Sequence, residues 1–122
     1  MGVLWVALGG ACGAAARYGI SLLPVRMDFP VLTLMTNFLG ALLIGVIVGL
    51  AGGGRLTADQ TLFWKTGVCG GFTTFSTFSL ETLTLLESGR IPAGCLYMAL
   101  SLGICVLGVA LGWGLCAALF RG

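Results

Sequence analysis

The run Gly70-Gly71-Phe72-Thr73-Thr74-Phe75-Ser76-Thr77-Phe78-Ser79 sets five hydroxyl side chains among phenylalanines, directly after a glycine pair. It carries no charge, so its chemistry is that of neutral dipoles. A hydroxyl donates one hydrogen bond, a phenyl ring has a positive edge, and Phe75 and Phe78, three apart, share a helical face. Together they could host an anion. The glycine pair and the polar run Thr73 to Ser79 interrupt the helix halfway along and predict a glycine-enabled break, and freed carbonyls can coordinate a cation such as Na⁺. Inside a membrane such a break is tolerated only against protein or a water-filled cavity. The competing reading is Phe as core packing, with Ser and Thr bonding back to their own helix.

Asn37 is the only asparagine of the chain, with Thr33 one turn earlier. Its amide can donate to an anion, or it can hold two helices together. Glu81 is the one carboxylate expected inside a helix, where it could carry protons or make a structural hydrogen bond near the helix end. Arg17 beside Tyr18 could concentrate anions at a vestibule or snorkel to the interface.

The remaining chemistry is sparse. The chain has no histidine, which removes the commonest general base and the commonest metal ligand. Without paired carboxylates or a nucleophile beside a base, it does not read as an enzyme. Cys12, Cys69, Cys95, Cys105 and Cys116 form no C-x-x-C pair and lie in apolar runs, so they read as small packing residues. A net charge of +2 without a basic cluster predicts no nucleic-acid partner.

The elements that must position these residues are membrane helices. Only 8% of the 122 residues are charged, against about 25% in soluble domains, and mean hydropathy is +1.10. Crossing about 30 Å of hydrocarbon takes about 20 helical residues. The apolar segments predict one transmembrane domain over residues 1–122, an all-α four-helix bundle with helices at about 2–23, 31–51, 60–86 and 92–120. Thr57 or Asp59 is the expected cap of the third, and Pro92 stands in the first turn of the fourth. The first segment is read as a helix and not a cleaved signal peptide, since no basic residue precedes it. Glycine pairs four apart, such as Gly9/Gly13, Gly45/Gly49, Gly67/Gly71 and Gly108/Gly112, predict close helix packing in lipid.

Basic residues near helix ends set orientation. Four crossings put Arg55, Lys65 and Arg121 on one side and Arg17, Arg26 and Arg90 on the other. This even division predicts insertion both ways round, and so an antiparallel pair of identical chains. Burial of one cation, such as Arg17, would instead leave an excess on one side.

The motifs Gly9-Gly10 with Gly13-Ala14 and Arg17-Tyr18, then Asn37-Phe38-Leu39-Gly40, then Gly67 through Gly70-Gly71 to Ser79, resemble the CrcB/Fluc family of bacterial fluoride channels over the whole chain. The resemblance implies a dual-topology antiparallel homodimer in the bacterial inner membrane, with two pores that export fluoride passively and relieve its toxicity. It implies Phe75 and Phe78 as the aromatic pair of the path, Asn37 as the amide donor, and Ser76, Thr77, Ser79, Tyr97 and Ser101 as pore hydroxyls. Arg17 would be the vestibule arginine. The carbonyls of Gly70 and Thr73 would hold a structural Na⁺, with no organic cofactor. The alternative is a small dual-topology proton-coupled multidrug exporter, but the first helix lacks the carboxylate those proteins use.

Overall fold

The computed structural model describes residues 1–120, and those residues are helical apart from short connectors. Helices α1 (Gly2–Ser21), α2 (Val31–Gly52) and α6 (Ile91–Phe120) are continuous and long and apolar enough to cross a membrane. The third helical stretch is built in pieces: α3 (Ala58–Thr61), a π-helix (Leu62–Cys69), α4 (Gly70–Phe72) and α5 (Phe75–Glu87). The four expected helices are therefore present, the third one broken. Arg121, counted above among the cations of one side, lies outside the described residues.

Local chemistry sets the ends. Of the two candidate caps, Thr57 takes the role: its hydroxyl accepts from the Gln60 N–H at 3.1 Å, and the Gln60 side chain accepts from the Thr57 N–H at 2.9 Å, a reciprocal capping box. Asp59 sits in the first turn, where the helix dipole favours negative charge. After α2 the chain turns at Gly54, whose φ of +72° is open to glycine and strained for other residues.

Packing is dominated by backbone approach. Few side chains are buried, among them Ala41, Ile47, Cys69, Leu85, Tyr97 and Cys116, while Leu8, Leu102, Val106 and Leu119 face outward. Lipid tails are as apolar as leucine, so helices gain by close contact more than by hiding apolar surface. The glycines supply that contact in two pairs. Gly9 and Gly13 of α1 press on the Phe63 and Val68 carbonyls of the π-helix, and Gly71 lies where a Cβ would meet the Gly10 oxygen at 2.5 Å. Gly45 of α2 faces the Val109 carbonyl, and Gly112 of α6 faces that of Leu42.

The two ends of the bundle are tied differently. At one end Arg90 Nη1 donates to the Asp28 carbonyl at 3.1 Å. At the other, the Arg55 guanidinium lies 4.1 Å from the Phe120 ring centroid.

Candidate functional site

The break falls within the expected stretch, at the start of the polar run, and not at the glycine pair itself. Gly70 and Gly71 are helical, and the chain opens two residues later, at Thr73 (φ −80°, ψ 154°) and Thr74 (φ −143°, ψ 115°). Glycine freedom is not needed there, because both threonines adopt ordinary extended backbone and stabilise it with their hydroxyls. Thr73 Oγ1 donates to the Cys69 carbonyl at 2.8 Å, and Thr74 Oγ1 accepts from the Thr77 N–H at 3.2 Å to cap α5. Gly71 serves instead to let α1 approach.

Asn37 holds the break from α2. Its Nδ2 donates to the Thr74 carbonyl at 3.2 Å, and its Oδ1 accepts from the Thr74 N–H at 2.8 Å. The side-chain amide thus replaces the helical neighbours that Thr74 has lost. Arg17 does a related job from α1: its Nε donates to the Gly71 carbonyl at 3.2 Å, placing positive charge at the negative end of the first half-helix.

These bonds have a consequence for two other carbonyls. In an unbroken helix Gly70 O would accept from the Thr74 N–H, and Thr73 O from the Thr77 N–H. Both N–H groups are diverted, one to Asn37 and one to the Thr74 hydroxyl. Gly70 and Thr73 are the residues whose carbonyls the family resemblance implies as Na⁺ ligands.

Beside the break lies a groove of about 420 Å³ between α2, the π-helix and α6. Asn37, Gly70, Thr73, Phe75, Phe78 and Ser101 all line it, so six of the expected site residues share one space. Phe75 and Phe78 pack at 5.5 Å between centroids, tilted by 49°. Phe75 is 76% exposed and stands out from the chain. Ser101 is only 8% exposed, and its hydroxyl has no hydrogen-bond partner among the described residues. Buried polar groups nearly always have partners, so an enclosed, unpartnered hydroxyl on a residue that lines the groove has its hydrogen bond to give to a ligand that reaches it.

The other expected residues lie outside the groove lining. Ser79 bonds back to the Phe75 carbonyl at 2.8 Å, and Ser76 Oγ lies 3.4 Å from the Thr74 hydroxyl. Thr77 takes part through its backbone N–H. Tyr97 is fully buried against Phe78 at 5.1 Å and Phe29 at 5.4 Å, and its hydroxyl reaches Glu81 at a long 3.5 Å. Arg17 is held at the break, as described. Sequence reasoning missed Thr74 and Lys65, which also line the groove. The first is signalled by its hydroxyl at the start of an apolar helix; the second is a lone cation in the apolar run Leu62 to Cys69.

Residues 4–113 match the family described as CrcB-like protein, Camphor Resistance (CrcB). A relative from Ruminiclostridium cellulolyticum is 45% identical over 116 residues, covering 90% of this chain and 88% of its own. One from Ruegeria sp. is 48% identical over 114 residues, covering 90% of each. One from Clostridium perfringens is 44% identical over 121 residues, covering 96% and 94%. Each of these three bears the name fluoride-specific ion channel FluC.

Proposed function

The chain belongs to the CrcB family, a family of ion channels and not of enzymes, and from that premise we propose that it is a fluoride-selective channel. It is a multi-pass protein of the bacterial inner membrane. In this reading fluoride leaves the cell passively down its own gradient, which relieves toxicity. The observation that carries the reading is the unpartnered Ser101 hydroxyl in a groove it shares with the Phe75–Phe78 pair and Asn37.

Fluoride is small and holds its water strongly, so a path must offer donors as water leaves. Ser101 offers an O–H with no competing partner. The Asn37 amide has a second N–H beyond the one given to Thr74. Phenyl edges add positive potential without a formal charge, so the ion is stabilised but not trapped. Ser76, Thr77, Ser79 and Tyr97 would extend the path beyond the groove on either side of α5. An exporter coupled to protons is less well supported: α1 carries no Asp or Glu, and Glu81 is engaged with Tyr97.

A homodimer completes the site. Phe75 of each protomer, exposed beside a groove with one open wall, would enter the groove of its partner and give two equivalent paths. Charge placement supports an antiparallel pair. Arg17 is tied to Gly71 and Lys65 lines the groove, which leaves Arg26 and Arg90 against Arg55 and Arg121, still an even division. Reporters fused to the C-terminus should therefore signal from both sides of the membrane; a single orientation would remove the antiparallel pair.

A structural Na⁺ fits the donor set. The Gly70 and Thr73 carbonyls are hard oxygens released from helical bonding at the negative end of a half-helix. Two such oxygens from each of two chains would make a four-oxygen site on the dimer axis. When bound, the ion would supply fixed positive charge that pins the two breaks together.

Purified protein in liposomes tests the function. Fluoride efflux should be rapid, need no proton gradient and exclude chloride; efflux that requires a proton gradient would overturn the channel. Ser101→Ala should lower the flux about tenfold, the worth of one hydrogen bond to a charged group. It should leave thermal stability unchanged or raised, because it removes a buried hydroxyl without a partner. Loss of stability at parental flux would make Ser101 a packing residue.

A further inference from the structure

Among the described residues, Lys65 is the one charged side chain lining the groove, whose lining also includes Ile44, Cys69, Val106 and Val109. We propose that Lys65 is an anion-attracting wall of the ion path, drawing small monovalent anions from water toward the Ser101 hydroxyl. The proposal rests on the channel reading above and adds to it the residue that concentrates the ion.

Backbone geometry places the charge. On an α-helix, position i+5 lies about 140° around from i, so Lys65 and Gly70 would face different ways. The stretch Leu62–Cys69 is π-helical, with hydrogen bonds running i→i+5, and the wider turn brings i+5 back to nearly the same side. Lys65, Cys69 and Gly70 consequently line one groove. A lysine carried into the membrane on a helix facing lipid would be costly; facing the groove, it meets the space that water and ions would enter.

The other charges do not serve this purpose. Arg17 gives its Nε to the Gly71 carbonyl and does not line the groove. Glu81 lies at Tyr97, behind Phe78. Ser101, more than nine-tenths buried and unpartnered, is the neutral donor to which an anion gathered by Lys65 would pass. The rest of the described lining is uncharged, so the Lys65 ammonium is the formal charge that the groove presents.

Attraction by one fixed charge acts over a Debye length, about 30 Å at 0.01 M salt and about 3 Å at 1 M. Fluoride efflux from liposomes should therefore be measured for the parent, Lys65→Gln and Lys65→Arg at both salt strengths, set with an impermeant anion. At low salt Lys65→Gln should slow efflux about three- to tenfold. At high salt it should come within about twofold of the parent, and Lys65→Arg should match the parent at both.

Parental flux through Lys65→Gln at low salt would overturn the proposal while leaving the channel reading intact, and would make Lys65 a snorkelling interfacial cation. An equal slowing at both salt strengths, or a slow Lys65→Arg, would also overturn it, since either indicates packing and not charge. No fluoride flux through the parent would remove the channel reading, and this one with it.

Discussion

Gly112→Ala should strongly destabilise the bundle, whereas Gly114→Ala, two residues away on the same helix, should not. A Cβ at Gly112 would overlap the Leu42 carbonyl oxygen and lie 3.0 Å from the Val46 nitrogen. Both obstacles are backbone, so relief requires α2 and α6 to separate, and separation weakens contacts along both helices. Overpacking typically costs about 1–3 kcal/mol, and an obstacle made of backbone puts this site at the upper end. At Gly114 nothing lies within 4 Å of the added carbon, and alanine's helix preference favours the substitution by about 1 kcal/mol. Thermal unfolding in detergent, followed by tryptophan fluorescence, reads both. Equal melting temperatures for the two variants would mean that the α2–α6 approach is not what holds the fold.

Asn37→Ala should cost both stability and flux. It leaves the Thr74 N–H and carbonyl without the partners that Asn37 now provides at 2.8 and 3.2 Å. Each unsatisfied group costs about 1–3 kcal/mol, and the break they fix carries Phe75 and Phe78. Flux should fall by at least about tenfold, the effect of losing one such bond at the barrier. Asn37→Asp separates the two roles. Its carboxylate still accepts from the Thr74 N–H but cannot donate to the Thr74 carbonyl, and it sets a negative charge in an anion path. It should keep more of the stability than Asn37→Ala and conduct even less. If Asn37→Ala melted at the parental temperature while losing flux, the amide would be an ion ligand and not the clamp that its bonds describe. Parental flux through Asn37→Asp would move the ion path out of this groove.

Both variants bear on what could be read from the chain alone. The glycine spacing foretold close helix packing, because small residues four apart line one face whatever the fold. It could not say that Gly9 and Gly13 would meet the π-helix while Gly45 met α6, since pairing depends on which helices become neighbours. Asn37 stood out as the lone amide among apolar residues, with two readings open. The bonds to Thr74 arise because α2 and the break, 37 positions apart in sequence, lie side by side.

The break itself shows the same division. Its existence was legible from glycines and hydroxyls clustered in an apolar helix. Its stretch was legible too, but its hinge residues were not, because the glycine pair was taken as the hinge by its backbone freedom, while α1 uses that same smallness for contact. The threonines could then open the helix because Asn37 supplied replacement hydrogen bonds from outside it.

By itself the sequence determined that this chain is a membrane-embedded helical bundle whose working groups are neutral dipoles: too few charges for water, apolar runs long enough for lipid, and hydroxyls, one amide and phenyl rings gathered in two motifs. These follow from composition and local spacing, which act over a few residues. The tertiary structure alone decided which dipoles face a common groove and which are used internally. It left Ser101 unpartnered, committed Arg17 to a carbonyl, and set the exposed Lys65 along the groove wall on a π-helical turn. Those outcomes depend on contacts between segments far apart in the chain, where one extra residue per turn or one Cβ changes which face meets which.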